Sequence, residues 1–379
     1  VFVGDAIGAN KKEKAGKGIG SGIIIFAVIA IIITFIIVPF SDLIASYMHA
    51  PKEAFKQTSN YIKICAIGTI FIVAYNCIGA IFRGIGDSKT PLITVAIACF
   101  INIVGDIILV ALFNMGASGA AIVSSQAISV VFSLYFISKK KLPFNFSRKY
   151  IRLEKECVKK ILIIGSPIAL QEMLVQFSFL FIQVIVNGMG VMESAAVGVA
   201  EKVCVFLMLV ASAYMQSISA FVAQNNGARL YERSQKALIY GIRTALIAGM
   251  FTSMITLVFG SLLSNIFSNE RLVILASYSY LKAYAIDCLL TAILFCFVGY
   301  FNGCSKTLFV MIQGIVGAFF VRIPVVYLMS HIENASLFYI GLATPISSIV
   351  QIILCLVAYN FYKRDLYNSE KLEKSYSTI

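Results

Sequence analysis

Residues 22–38 read Gly22-Ile-Ile-Ile-Phe26-Ala-Val-Ile-Ala30-Ile-Ile-Ile-Thr34-Phe-Ile-Ile-Val38, without one charged side chain. A bilayer core about 30 Å thick takes roughly 20 apolar residues as a helix. A barrel strand would change polarity at every second position, and this run does not. Comparable runs fall at about 19–40, 57–82, 91–113, 119–138, 161–187, 194–220, 241–267, 275–300, 308–329 and 337–361. The expectation is an all-α polytopic membrane protein with ten complete spans. The whole chain agrees, since 59% of its 379 residues are apolar and 13% charged. A soluble domain is roughly 45–50% apolar and about 25% charged. A water-soluble globule, a disordered chain and a disulfide scaffold are excluded by that difference.

Lys and Arg number 31 against 18 Asp and Glu, a net charge of +13. In a soluble chain this would suggest nucleic acid, but the positions say otherwise. One set of loops holds Lys11, Lys12, Lys14 and Lys17; Arg83 and Lys89; the basic residues from Lys139 to Lys160; Arg229, Arg233 and Lys236; Lys306; and Lys363, Arg364, Lys371 and Lys374. The alternate loops hold only Lys52, Lys56 and Arg271. The bias puts the first set, and the C-terminus, in the cytoplasm, with membrane lipid rather than nucleic acid as the surrounding partner. The nine Cys show no metal-site spacing and read as small buried hydrophobes. His49 and His331 lie far apart in loops, which argues against a histidine metal site.

An internal repeat sets the organisation. Phe2-Val3-Gly-Asp-Ala-Ile-Gly8-Ala9 matches Phe221-Val222-Ala-Gln-Asn-Asn-Gly227-Ala228 at an offset of 219, and Glu13/Glu232, Lys17/Lys236 and Gly22/Gly241 continue it. Arg83-Gly84-Ile-Gly86-Asp87-Ser88-Lys89-Thr90 matches Asn302-Gly303-Cys-Ser305-Lys306-Thr307 with two residues deleted. Both copies start and end on one side, so they are parallel repeats, a design common in secondary transporters. Projecting the second copy back past Val1 leaves about two helices missing, so the chain reads as a fragment of a twelve-span parent and is expected to be inactive alone. The expected division is an N-terminal bundle at 1–138 with about four spans, a cytoplasmic linker at 139–160, a six-helix bundle at 161–362 and a cytoplasmic tail at 363–379.

On these residues the chain resembles the MATE (multidrug and toxic compound extrusion) family. The tags are Ala223-Gln224-Asn225-Asn226-Gly227-Ala228, Arg83-Gly-Ile-Gly-Asp-Ser-Lys-Thr-Pro91, Asn302-Gly303 and Arg322-Ile323-Pro324. The resemblance implies two parallel-repeat six-helix bundles around a V-shaped central cleft. It also implies a monomeric antiporter of the bacterial plasma (inner) membrane, with no cofactor, in which Na⁺ or H⁺ influx drives export of amphiphilic, often cationic, compounds.

Ionisable groups within spans cost several kcal/mol unless paired or hydrated, and default to functional candidates. Three carboxylates stand out: Asp106, Glu172 and Asp287. Asn102 and Asp106 are four apart and share a helix face. Together they make a hard-oxygen site for Na⁺ or a carboxylate that carries H⁺; the alternative is a buried pair tying helices together. The resemblance makes Asn102 and Asp106 the cation site, with Ser124 as its hydroxyl. Gln171 and Glu172 follow Pro167, which frees a carbonyl where a helix lines a cavity; alternatively Glu172 snorkels near the helix start. Gln171, Gln176 and Gln183 suit substrate contact or interhelical hydrogen bonding equally. Asp287 is expected in the substrate cleft or in a salt bridge with Lys282. Arg322 is expected with Gln171, Glu172 and Asp287 at the substrate cleft, where it would neutralise one of these acids, chiefly as a structural pair.

Other motifs take plain readings. Gly84-Ile85-Gly86-Asp87 spells the GxGD of intramembrane aspartyl proteases, but its Asp sits in a loop and reads as part of a helix cap and turn. Gly18-Ile-Gly20-Ser-Gly22 reads as close helix packing, not a phosphate cradle. No enzymatic motif is present, so the chain is not expected to be an enzyme. A lipid-linked oligosaccharide flippase of the same superfamily is the alternative transporter, and it would need several Arg or Lys in the central cavity.

Overall fold

A computed structural model describes residues 1–47, 55–111, 124, 127–128, 130–135, 147–332 and 336–376, without the side chains of 106, 109–111, 148 and 365–376. Among them the long elements are helical. They are α1 (Phe2–Gly8), α2 (Lys12–Tyr47), α3 (Phe55–Ile67), α4 (Thr69–Ile85) and α5 (Lys89–Ala111). Then come α6 (Lys155–Asn187), α7 (Val191–Gly227), α8 (Tyr231–Asn265), α9 (Arg271–Gly303), α10 (Thr307–Ser330), α11 (Leu337–Gly341) and α12 (Ala343–Tyr376). Seven are long and apolar enough to cross a bilayer, and α3 with α4 makes an eighth candidate bent by 47° at Gly68. The 119–138 run lies mostly outside the described residues, as does the linker over 139–146.

The chain forms two compact units, Val1–Leu162 with Gly227–Arg229, and Ile163–Asn226 with Leu230–Ile379. In the first unit α2 packs on α1, α3 and α4. The Gly18–Gly22 stretch allows close approach: Phe2 lies over Gly18, and the Tyr150 backbone lies over Gly20 where a Cβ would stand. Ser21 secures the same contact, donating to the Arg152 carbonyl at 3.0 Å and accepting from the Glu154 N–H at 3.1 Å. Lys160 reaches Asp5 at 2.6 Å. In the second unit α9 is the buried element, packed on α8, α11 and α12.

The repeat is legible in backbone and packing as well as in letters. Asn10 and Arg229 both have positive φ, 57° and 59°, and so do Gly86 and Ser305, 93° and 60°. Each pair is 219 apart. The hydrogen bonds that close these helix ends are copied too: Lys11 to Ala6 and Leu230 to Asn225 at 2.8 Å, Asp87 to Phe82 and Lys306 to Phe301 at 2.9 Å. Glu13–Lys17 and Glu232–Lys236 form the same i,i+4 ion pair. A Cβ on Gly84 would meet Val3, and one on Gly303 would meet Val222. The same local constraints thus recur at one constant offset in both copies of the repeat.

The GxGD stretch serves as two caps. Gly86 ends α4 in the left-handed region. The Asp87 carboxylate then accepts from the Lys89 and Thr90 N–H groups at 3.1 and 3.2 Å and from the Thr90 hydroxyl at 2.6 Å, starting α5. Asp87→Ala is expected to cost about 1 kcal/mol, seen as a lower unfolding temperature with transport retained. Burial of the cysteines is only partial. Cys157, Cys204, Cys288, Cys296 and Cys355 are buried, whereas Cys65, Cys77 and Cys304 are half-buried and Cys99 is exposed, because a lipid-facing position tolerates a thiol as well as a core does.

Candidate functional site

The second unit encloses a cavity of about 320 Å³, within the range of ligand sites. Five of its helices bring acids, amides or a guanidinium to the wall: Gln171, Glu172 and Gln176 from α6, Glu201 from α7, Asp287 from α9, Gln313 and Arg322 from α10, and Gln351 from α12. Phe179, Met208, Met215 and Phe295 supply apolar surface between them. Gln171, Glu172, Asp287 and Arg322, each expected in a cleft, therefore share one wall.

Asp287 is the deepest acid, with 2% of its surface exposed. Its carboxylate accepts from Thr291, one turn on, at 2.8 Å and from Ser348 of α12 at 2.6 Å. The expected salt bridge to Lys282 is absent. Five residues along a helix turn about 140°, which leaves Lys282 exposed with its ammonium 4.5 Å from the Tyr278 ring. Glu172 sits midway along α6, which begins back at Lys155, so snorkelling near a helix start does not apply. Gln183 is taken up by Asn187 at 2.9 Å and Ser194 at 3.1 Å, while Gln171 and Gln176 face the cavity.

Arg322 corrects the expectation of a structural ion pair. Among the described residues it has no carboxylate within 4.0 Å, and its guanidinium stacks on Phe179 at 4.7 Å from the ring centroid. The reason is local. Pro324 has no N–H to give to the preceding turn, and residues Val316–Arg322 widen into a π-helix. Ser347 satisfies the Gly317 carbonyl at 2.7 Å. Gly314 leaves room for the Gln171 side chain beside this segment.

Glu201 is the functional candidate missed in the sequence. It falls inside the 194–220 run, so its cost as an intramembrane acid was visible there. Its Oε1 is buried without a hydrogen-bond partner among the described residues. In the first unit, Asp106 lies on α5 but its side chain is outside the described residues; Asn102 on the same helix is half-buried, and Ser124 is exposed. Among the described residues no three His, Cys, Asp or Glu side chains are grouped to hold a metal ion.

The sequence pattern of the MatE family matches residues 1–108 and 167–328. The chain belongs to the MatE family. Among similar proteins, the probable multidrug resistance protein YoeA of Bacillus subtilis (strain 168) is 24% identical over 382 residues, 95% of this chain and 80% of its own length. The multidrug export protein MepA of Staphylococcus aureus (strain bovine RF122 / ET3-1) is 24% identical over 312 residues, covering 80% and 67%. A solved outward-facing conformation of a multidrug resistance MATE family transporter of the MOP superfamily superposes with a TM-score of 0.90 at 20% identity, covering 97% of this chain and 83% of that one. That likeness carries the MatE fold: an all-α polytopic membrane protein.

Proposed function

We propose that this protein is a multidrug efflux transporter, an antiporter that exports amphiphilic, often cationic, small molecules in exchange for Na⁺ or H⁺. The observation that carries the reading is the cavity of the second unit, where Glu172, Glu201 and Asp287 stand among aromatic and thioether surface. Asp287 is buried, Glu201 half-buried and Glu172 exposed; a carboxylate attracts a cation most strongly where little water competes, as at Asp287, and aromatic faces add cation–π attraction. The relatives, a probable multidrug resistance protein and a multidrug export protein, point the same way. Transport proceeds by alternating access of bundles near 1–138 and 161–362, with linker and tail in the cytoplasm. Asn102 and Asp106, with Ser124, hold the coupling ion, which biases the exchange only by binding the two states unequally. The flippase alternative is disfavoured because Arg322 is the one cation on the described cavity wall.

The test is ethidium transport in everted vesicles from cells expressing the protein from its complete gene, with Na⁺ and pH gradients imposed separately. One of the two gradients is expected to drive uptake, and Asp106→Asn is expected to abolish that drive with membrane insertion intact. Transport indifferent to both gradients, or undiminished in the Asn variant, would remove the antiport reading.

A further inference from the structure

The buried charge that the export reading leaves unused is Arg322. It exposes 8% of its surface, yet its Nε and Nη1 have no hydrogen-bond partner among the described residues. It lines the same cavity as the three acids. A buried charge left without its partner is strongly disfavoured, and so is each orphaned buried donor. Such an arrangement fits a group that is satisfied in another state of the protein. A carboxylate oxygen of Glu201 is orphaned on the same wall, so acceptor and donor both wait.

Asp287 is meanwhile held by two hydroxyls, from Thr291 and Ser348. A hydroxyl can rotate away and turn its donor elsewhere, so the carboxylate is free to take a stronger cationic partner. The means of movement lies in α10. The π turn ends on Arg322, and shifting such a turn along a helix rotates the residues it passes by about 100°, the angle of one residue. Gly314 and Gly317, both covered by glutamine side chains rather than by backbone, line the moving side.

We propose that Arg322 is a tethered counter-cation, competing with the exported cation for the carboxylates of this cavity, Asp287 foremost. The guanidinium leaves Phe179 and pairs when the cation departs, and the arriving cation displaces it. The proposal rests on the export reading of the cavity, and the two fail differently.

The experiment is equilibrium binding of tetraphenylphosphonium, which carries no anionic group, to the purified protein without an ion gradient. Arg322→Gln is expected to bind about tenfold tighter, Arg322→Lys to stay near the unsubstituted protein, Asp287→Asn to weaken binding, and the Asp287→Asn/Arg322→Gln pair to lose the gain. Unchanged or weaker binding by Arg322→Gln while Asp287→Asn still weakens it would overturn the counter-cation and leave the export reading standing. Indifference of binding to both residues would overturn the export reading of the cavity itself. If Arg322→Gln fails to fold, the double variant decides: recovery of folded protein supports the pairing of these two charges, and no recovery overturns it.

Discussion

Replacing Asp287 by Asn is expected to cut ethidium efflux on the order of a hundredfold, the loss that removing one member of a buried charge interaction produces. The side chain keeps its volume, so the packing of α9 survives. Its charge does not. Thr291 and Ser348 both donate to the carboxylate, and an amide offers one acceptor oxygen where the acid offers two, so one hydroxyl must turn away. The variant should reach the membrane in normal amount and lose transport, read as ethidium retention in cells. Efflux at the unsubstituted level would mean that the cavity acid nearest the core takes no part in recognising the cargo.

Gly299→Leu is expected to destabilise the second unit by more than about 3 kcal/mol, since overpacking against backbone leaves nothing to give way. Gly299 and Gly303 lie one turn apart on α9 and face α7. A Cβ at 299 would stand 2.5 Å from the Met215 carbonyl oxygen, and one at 303 would stand 2.8 Å from the Ser219 carbonyl oxygen and 2.7 Å from Val222 Cβ. Small residues four apart let two membrane helices approach until their backbones touch. Gly198→Leu is the control, because no atom lies within 4 Å of a Cβ there. Thermal unfolding followed by size-exclusion chromatography should show a large loss for Gly299→Leu and little change for Gly198→Leu. Equal behaviour of the two would remove the close α7–α9 contact.

Both residues show where sequence reading stops. The acid at 287 announces itself by its cost in an apolar run, but its partner cannot be chosen from spacing alone. Lys282 stands nearest in the chain, yet the helix turns it to the outside. Ser348, 61 residues further on, closes the hydrogen bond instead. Arg322 is similar: a buried arginine near acids suggests an ion pair, and the π turn before Pro324 sends it onto Phe179. Glu201 was open to the same hydropathy argument as its neighbours on the wall. The glycines at 299 and 303 read as ordinary small residues until the facing backbone is known.

Sequence by itself determined the solvent of this protein, its helical class and its duplication. Those properties rest on composition, on runs of one chain segment and on a constant offset, all of which are local or additive along the chain. The same offset of 219 recurs in the structure at the helix ends that share a left-handed residue, Asn10 with Arg229 and Gly86 with Ser305. Tertiary structure alone decided which acids share a wall and what each one touches. A charge inside a membrane is settled by whichever side chain from any helix reaches it, and that is a property of helix rotation and packing rather than of distance along the chain.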